Sequence, residues 1–312
     1  MEIAKIFKDI NIPGRSKEIL GIQYSETLFK VVAIKKEKNK ISISEFPFEV
    51  MIPEETPPGV AIKEALLSRS IKTKECVFSI PISYTLIKNI KLPSMPQKEI
   101  REAVEWNIRE DLKAIKGETY FDFDIISEDD GFLNIVVVIA KLSDIEKLIS
   151  IANDANLNLK IIDSSAIGLI NLTLKQKEKI GDEEKENFCV IHIDKDESFL
   201  SFLQNGITVQ TLDFNIKSYP NYDLTQKEEA VSKLINEINY FFLTVNEPKQ
   251  IYLSGYFTEF PEIKTVLDDK FSDKFQIINL DPAIALDMAY LADEYKGPYN
   301  IPFSAALRGL EE

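Results

Sequence analysis

The chain has 312 residues, with 37 Lys and Arg against 51 Asp and Glu, which gives a formal net charge of −14. This acidic balance, with only five arginines, excludes a nucleic-acid surface and direct electrostatic docking on anionic lipid. The length exceeds that of an ordinary domain of ~100–200 residues, and a hydrophobic fraction of 45% rules out general disorder, so we expect two folded domains.

The first predicted elements are three strands, a helix and two more strands. Apolar and polar residues alternate in the second strand, as in a half-buried strand, and the charged group Lys36–Asn39 after it predicts a solvated hairpin turn. The predicted strands are Glu18–Tyr24, Thr27–Lys35, Lys40–Phe48, Glu75–Pro81 and Tyr84–Leu92, with the helix at Gly59–Ser68.

A small module of mixed helix and strand is predicted next. Its first helix begins at Pro96, and two strands, Thr119–Ser127 and Phe132–Ala140, form a hairpin. We interpret the acidic hairpin turn Glu128–Gly131 as a solvated turn and not a cation site. A second helix, Ser143–Ala155, is predicted with Ser143 as its cap.

The order of three strands, a helix and a strand returns in the second half. The predicted elements are strands Asn187–Ile193, Glu197–Gln204 and Ile207–Phe214, a helix Leu224–Val245 and a strand Gln250–Ser254. Asn205-Gly206 predicts a tight hairpin turn. Gln23 and His192 then hold equivalent positions, at an offset of 192 − 23 = 169 residues. We interpret the repeated order as a duplicated domain, although this order is common on its own.

The rare residues limit the chemistry. With His192 as the only histidine, His-rich metal sites and ordinary catalytic triads are excluded. Cys76 and Cys189 each lie in an apolar run, which predicts core residues of a reduced protein. The longest apolar run, Ile135–Ala140, is far shorter than the ~20 residues of a membrane span, and Met1–Asn11 lacks the apolar core of a signal peptide. We therefore expect a cytosolic protein.

Several single residues have two interpretations. We favour His192 as a structural imidazole over a pH sensor, and Asp163 as the cap of a helix starting at Ser164 over an active-site acid. Trp106 is either an exposed contact residue or buried under the neighbouring hairpin. The apolar stripe of Met1–Asn11 is expected to dock on its own domain, with a membrane or a partner as the alternative.

A set of short segments, taken together in their order and spacing, carries a resemblance to a known family. The segments are Gly21-Ile22, Phe29–Val32, Ser79–Pro81, Ile90–Met95, Glu99-Ile100, Ala103–Trp106, Ile161–Asp163, Ile251–Gly255 and Phe303–Arg308. They resemble the PilM family, the actin-like cytoplasmic proteins of type IV pilus machines, over nearly the whole chain. The most specific element is Leu92-Pro93-Ser94-Met95 followed by the helix that contains Trp106.

The resemblance implies an α/β, actin-like fold of two ribonuclease-H-like domains with an inserted α+β subdomain. It places the first domain at residues 1–93, 161–186 and 283–312. The insert is then residues 94–160, and the second domain is residues 187–282.

The nucleotide site is where this chain departs from the family pattern. The family's phosphate loops are similar to Gly-Ile-Asp-Ile-Gly-Ser and Val-Val-Asp-Ile-Gly-Ala, whereas the chain has Gly21–Glu26 and Val190–Lys195. Gln23 and His192 replace the two aspartates that such sites direct at the metal and the attacking water. Gln23 is neutral, and His192 is a poor ligand for Mg²⁺, which prefers oxygen, so neither replacement favours a metal site.

The glycines of these loops are also replaced. Ser25 and Asp194 stand where glycine would let the backbone approach a phosphate closely, and Asp194 adds negative charge there. The third element of the family's site, a Gly-Gly pair, is Ser254-Gly255 followed by Tyr256 and Phe257, whose rings occupy space that adenosine would use.

We therefore predict no catalytic residue, no metal site and no cofactor, with Mg-ATP binding kept as an alternative. No glycine-rich loop can be written elsewhere, since the two closest glycines, Gly14 and Gly21, are seven residues apart. The polar remnant of the expected nucleotide cleft is Ser25, Thr27, Lys30, Glu197, Ser198, Ser254 and Gly255.

By this resemblance the chain is a non-catalytic cytoplasmic scaffold, peripheral to the inner membrane, in a type IV pilus assembly platform. It would bind the cytoplasmic N-terminal tail of a PilN-like membrane protein in a groove between the main domain and the insert. Other pilus platform or motor proteins and a homo-oligomer are further expected partners. The alternatives are an active actin-like ATPase of the pilus machine and the cytoplasmic module of a type II secretion platform. The latter normally continues into a membrane span, whereas this chain ends at Glu312 without one.

Overall fold

The computed structural model describes residues 17–38, 40–184 and 187–311. Its first half contains β1 (Lys17–Tyr24), β2 (Leu28–Glu37), β3 (Lys40–Met51), α1 (Pro58–Ser68), β4 (Glu75–Ile80), β5 (Thr85–Pro93), α2 (Gln97–Ala114), β6 (Thr119–Asp129), β7 (Phe132–Lys141), α3 (Leu142–Asp154), β8 (Asn158–Ser164) and α4 (Ser165–Lys179). The second half contains β9 (Phe188–Ile193), β10 (Ser198–Leu203), β11 (Ile207–Thr211), α5 (Leu224–Thr244), β12 (Gln250–Gly255), α6 (Pro261–Phe271), β13 (Gln276–Asn279), α7 (Pro282–Ala285) and α8 (Asn300–Glu311). The stripe of Met1–Asn11 and Asn39 of the predicted turn lie outside the described residues.

Two five-stranded sheets share one strand order. The first sheet runs β3-β2-β1-β4-β8 and the second β11-β10-β9-β12-β13. In each, three antiparallel strands are followed by two strands parallel to the central one. The repeated topology confirms the predicted fold class, an α/β, actin-like fold built from two ribonuclease-H-like domains.

The central strands are buried because helices cover both faces of each sheet. All six residues of β9 are buried, as expected of a strand whose sequence is apolar without alternation. On β1, Gly21 is needed for close packing against α8, because a Cβ there would lie 1.9 Å from the carbonyl oxygen of Pro302. α8 therefore lies directly on the backbone of the first sheet.

A third sheet, β5-β7-β6, carries α2 on one face and forms the insert. The predicted domain limits differ from the strand pairing at two places. β5 was expected in the first domain, but it pairs with β7 of the insert. β8, expected to lie partly in the insert, pairs with β4 of the first domain from Asn158 onward. Local sequence pattern predicts a strand but carries no signal for its partner, so the domain limits stay a prediction.

The insert also contacts the second domain, and one side chain makes two hydrogen bonds there. The Asn89 side chain on β5 donates from Nδ2 to the carbonyl oxygen of Ile207 (2.9 Å) and accepts at Oδ1 from the Ile207 N–H (2.8 Å). The Asn89 amide therefore occupies the place of a neighbouring strand at the edge of β11. The adjoining turn is the predicted Asn205-Gly206 hairpin, with φ of 53° and 155°.

Several predictions at single residues can be compared with the structure. Ser143 is not a helix cap, because β7 runs directly into α3 and Lys141 occupies the cap position. Asp163 is not the cap of α4, because the helix begins one residue later than predicted and Ser164 occupies the cap position; Asp163 Oδ1 accepts from the adjacent N–H of Ser164 (2.9 Å). Trp106 is 70% exposed, so its exposed interpretation is confirmed and the buried one is wrong.

Both cysteines, Cys76 and Cys189, are free and buried, as predicted for core residues. Within the described ranges, no helix combines the length and apolarity needed to cross a membrane.

Candidate functional site between the two domains

The candidate site lies where the ends of β1 and β9 meet between the two domains. The turn between β9 and β10, Asp194–Glu197, contains three carboxylates and is called the acidic turn below. The turn has this position because β9 and β1 are the equivalent central strands of the two sheets. Each of its four side chains contacts the first domain, as the next paragraphs describe.

The centre of the site is a buried ion pair that joins the domains. Lys30 Nζ on β2 lies 2.6 Å from Asp194 Oδ1, and both side chains are 1% exposed. Lys30 Nζ also donates to the carbonyl oxygen of Pro298 (2.9 Å) and lies 4.6 Å from the centre of the Tyr256 ring. The lysine is therefore enclosed by a carboxylate, a carbonyl and an aromatic face.

Asp194 has further donors beside the lysine. Its carboxylate accepts from the backbone N–H of Lys195 (2.6 Å) and from Gln23 Nε2 (3.3 Å). Burial alone would raise the pKa of Asp194, but the charge and hydrogen bond of Lys30 and the contact with His192 together outweigh burial and hold the pKa below its usual value. Asp194 is therefore ionised at neutral pH.

His192 lies behind Asp194. Burial lowers the pKa of His192, so the imidazole is neutral at pH 7. Its Nδ1 shares a hydrogen bond of 2.9 Å with Ser254 Oγ, and its Nε2 lies 3.4 Å from Asp194 Oδ2. These contacts support the structural interpretation of this histidine over a pH sensor.

Glu197 is inserted into the first domain. Its Oε2 accepts from the backbone N–H of Ile82 (2.9 Å) and from Ser165 Oγ (3.0 Å), and its Oε1 accepts from Gln23 Nε2 (3.3 Å). Burial and the charge of Asp194 together raise the pKa of Glu197 to about 7, although these hydrogen bonds act to lower it. The acidic turn therefore brings one ionised and one partly protonated carboxyl group into the interface.

The rim of the site is closed by more exposed contacts. Lys195 Nζ lies 2.9 Å from both carboxylate oxygens of Glu49 on β3, and the Tyr256 hydroxyl donates to the same carboxylate at 2.9 Å. Thr27 Oγ1 donates to Asp196 Oδ1 at 3.4 Å. The acidic turn thus contacts the first domain at the centre of the cleft and at its rim.

A second set of contacts joins the domains away from the cleft. The buried Lys177 on α4 pairs with Asp182 at 2.7 Å and also donates to Gln250 on β12. The neighbouring Gln176 donates to the carbonyl oxygen of Asn279 (3.1 Å) and accepts from the N–H of Asp281 (2.7 Å). Polar contacts therefore join the two domains outside the cleft as well as inside it.

The structure brings only part of the predicted cleft remnant together. Thr27, Lys30 and Glu197 take part in the contacts with or within the acidic turn, and Ser254 contacts His192. Gly255 has φ of 97°, and a Cβ there would lie 1.9 Å from the carbonyl oxygen of Ile193.

Ser25 and Ser198 bond locally instead. Ser25 Oγ bonds to the backbone of Leu28 at 3.1 Å, and Ser198 Oγ donates to the carbonyl oxygen of Phe214 at 3.2 Å. No sequence pattern indicated the role of Glu49. It also did not connect Asp194 with Lys30, which is 164 residues away.

These features define the class of the protein as a two-domain, actin-like protein with an additional sheet inserted in its first domain. A chain of the PilM-PilN type IV pilus biogenesis complex is similar in structure, with a TM-score of 0.76 at 19% sequence identity, covering 94% of this chain and 99% of that chain. The PilM-like, actin-like resemblance seen in the sequence is thus confirmed in the fold.

More distant structures also align. They include the cytoplasmic domain of EpsL, from the type II secretion system of Vibrio cholerae (TM-score 0.45, 9% identity, 76% and 82% of the two chains). A protein of unknown function with an actin-like ATPase fold from Bacteroides thetaiotaomicron aligns with a TM-score of 0.46 (11% identity, 84% and 90%). Similarity at this level says nothing about the function of the chain. No protein-family model matches the sequence, and no curated protein matches it significantly.

Proposed function

We propose that the chain is a non-catalytic adaptor of a type IV pilus assembly platform, which binds the cytoplasmic N-terminal tail of a PilN-like inner-membrane protein. It would lie in the cytoplasm, peripheral to the inner membrane. It would contact other platform or motor proteins and would form a homo-oligomer. The observation that carries the proposal is the match in fold over 94% of this chain and 99% of a chain from the PilM-PilN complex.

The accessible part of the insert supplies a wall for the tail. On the face of the insert sheet opposite α2, Val136 and Ala140 are buried against the main body. Strand alternation and register put Val138 of β7 and Tyr120, Asp122 and Asp124 of β6 on that same face. These four residues remain partly or fully accessible. We call them the groove wall, and its two carboxylates suit a tail with basic residues.

Asp122 and Asp124 also hold the free edge of β6. Asp122 Oδ1 accepts from the N–H of Phe123 (3.0 Å), and Asp124 Oδ1 accepts from the N–H of Ile125 (2.8 Å). Asparagine would keep an oxygen acceptor at each position while removing the charge. Asp122 also forms an exposed ion pair with Arg101 at 3.8 Å, which contributes little to stability, so the electrostatic role can largely be separated from the structural one.

The first test measures tail binding. A peptide of the N-terminal tail of a PilN-like protein encoded near this gene should bind, and Asp122→Asn with Asp124→Asn should weaken its affinity by up to about tenfold, mostly at low salt. Fluorescence anisotropy over a salt series measures both quantities. Glu128→Gln with Asp129→Asn at the tip of the hairpin is the control with the same loss of charge. No binding by the natural chain would contradict the adaptor proposal, whereas equal affinities of the two variants would place the tail elsewhere.

The second test addresses the nucleotide. We propose that the cleft holds no Mg-ATP, because Lys30 is already paired with Asp194 of the acidic turn and the Tyr256 ring lies over the lysine. The thermal midpoint should be the same with and without saturating Mg-ATP. A ligand at ~100 times its dissociation constant contributes about 2.7 kcal/mol, which would raise the midpoint by several degrees. Such a rise, with turnover of ATP, would favour the alternative of an active ATPase.

A further inference from the structure

The surroundings of the Asp194 carboxylate are those of an anion-binding site. Three donors converge on it, namely Lys30 Nζ at 2.6 Å, the backbone N–H of Lys195 at 2.6 Å and Gln23 Nε2 at 3.3 Å. The carboxylate is 1% exposed, and Lys30 has no other ion pair among the described residues. An ammonium, a backbone N–H and an amide N–H, all turned toward one buried position, are the groups that hold carboxylates and phosphates in proteins.

The anion in this site comes from the other domain. Lys30 and Gln23 lie on β2 and β1 of the first domain, and Asp194 follows β9 of the second. At the equivalent position of the first domain, 194 − 169 = 25, the chain has Ser25, which bonds to Leu28 of its own turn. At this pair of equivalent positions, a carboxylate therefore reaches across the interface from the second domain and not from the first.

The other acids of the turn do not have this environment. Asp196 pairs with Lys217, whose side chain is 43% exposed, and with Thr27 at the rim. Glu197 accepts from Ile82 N–H, Ser165 Oγ and Gln23, without a cation. Full burial together with a cationic partner is thus specific to Asp194 within the acidic turn.

We propose that Lys30, Gln23 and the Lys195 N–H form an oxyanion-binding site whose resident ligand is the chain's own Asp194. The site takes small oxyanions, a carboxylate or a phosphate, and the natural chain keeps external ones out because Asp194 already fills it. This inference rests on the proposed loss of nucleotide from the cleft, but it is independent of which tail the groove wall binds.

The test is chemical rescue of Asp194→Ala, since formate restores nearly the atoms that this substitution removes. The variant should have a lowered thermal midpoint in chloride, and formate or inorganic phosphate at the same ionic strength should raise that midpoint by several degrees. The natural chain should show only the small, general effect of these salts on its midpoint. Asp196→Ala is the matched control, because it removes a carboxylate of the same turn from a solvent-accessible pair.

A second variant checks that the anion enters the vacated position. Asp194→Asn removes the charge but fills the space, so formate should not change its midpoint. A response of Asp194→Ala no larger than that of Asp196→Ala or Asp194→Asn would overturn the proposal. Failure of Asp194→Ala to fold in formate as well as in chloride would also overturn it, since a saturating ligand should replace the lost group. Mg-ATP binding by the natural chain would count against the proposed function, whereas absence of rescue would leave tail binding intact.

Discussion

Replacing Lys30 by methionine is expected to destabilise the protein by about 3–5 kcal/mol, because it leaves the buried carboxylate of Asp194 without its cation. Asp194→Asn alone should also be destabilising, since it leaves Lys30 charged and buried. The double variant should recover much of the loss, because two neutral side chains of similar size need no counter-charge. Denaturant unfolding of the four proteins gives the coupling free energy between the two positions. Strictly additive effects would mean that the pair does not act as a unit.

The exposed ion pairs provide the comparison for this result. Lys233 and Asp213 form a pair whose side chains are 55% and 79% exposed. Replacing Lys233 by methionine should change the free energy of unfolding far less than replacing Lys30 does. A loss as large as that at Lys30 would show that burial is not the cause of the effect.

Gly21→Ala is expected to destabilise the protein by about 3 kcal/mol or more, above the usual range for overpacking. A Cβ at this position would lie 1.9 Å from the Pro302 carbonyl oxygen and 2.7 Å from the Ala306 backbone nitrogen, so α8 would have to move away from β1. Calorimetry and denaturant unfolding both measure the loss.

Gly131→Ala serves as the control for that substitution. Gly131 lies in the β6–β7 turn with φ of 77°, and a Cβ there would meet no atom within 4 Å. Its cost should be about 1 kcal/mol, from backbone conformation alone. If Gly21→Ala lowered the free energy of unfolding no more than Gly131→Ala, α8 would not be packed as closely on β1 as described.

The repeat of three strands, a helix and a strand could be predicted because each element follows from local apolar patterns and turn residues. Asn205-Gly206 predicts its hairpin from two residues, and the apolar run of Phe188–Ile193 predicts a buried strand. The pairing partner of a strand could not be predicted in this way, because backbone hydrogen bonds between strands do not depend on which residues the strands contain. This is why β5 was assigned to the first domain when it pairs with β7 of the insert.

The candidate site could be located from the sequence but not built from it. Comparison with the family's loops identified Gln23 and Asp194 as departures from a nucleotide site, and Lys30 as a polar remnant. The sequence could not show that these residues contact one another, because Lys30 and Asp194 meet only after two domains have folded and packed. The negative charge of Asp194, considered on its own strand, suggested repulsion of a phosphate, whereas in the structure it neutralises a lysine.

The Asn89 contact with Ile207 has a mechanical consequence. The insert is continuous with the first domain along the chain and packs on it, and the Asn89 side chain also joins the insert to the second domain by this pair of hydrogen bonds at the edge of β11. A load applied to the groove wall by a membrane-anchored tail would therefore divide between the two domains instead of bending the insert away from one of them. The Asn89 side chain, which covers the edge of β11, would thus also transmit force, and tension would be distributed over both domains.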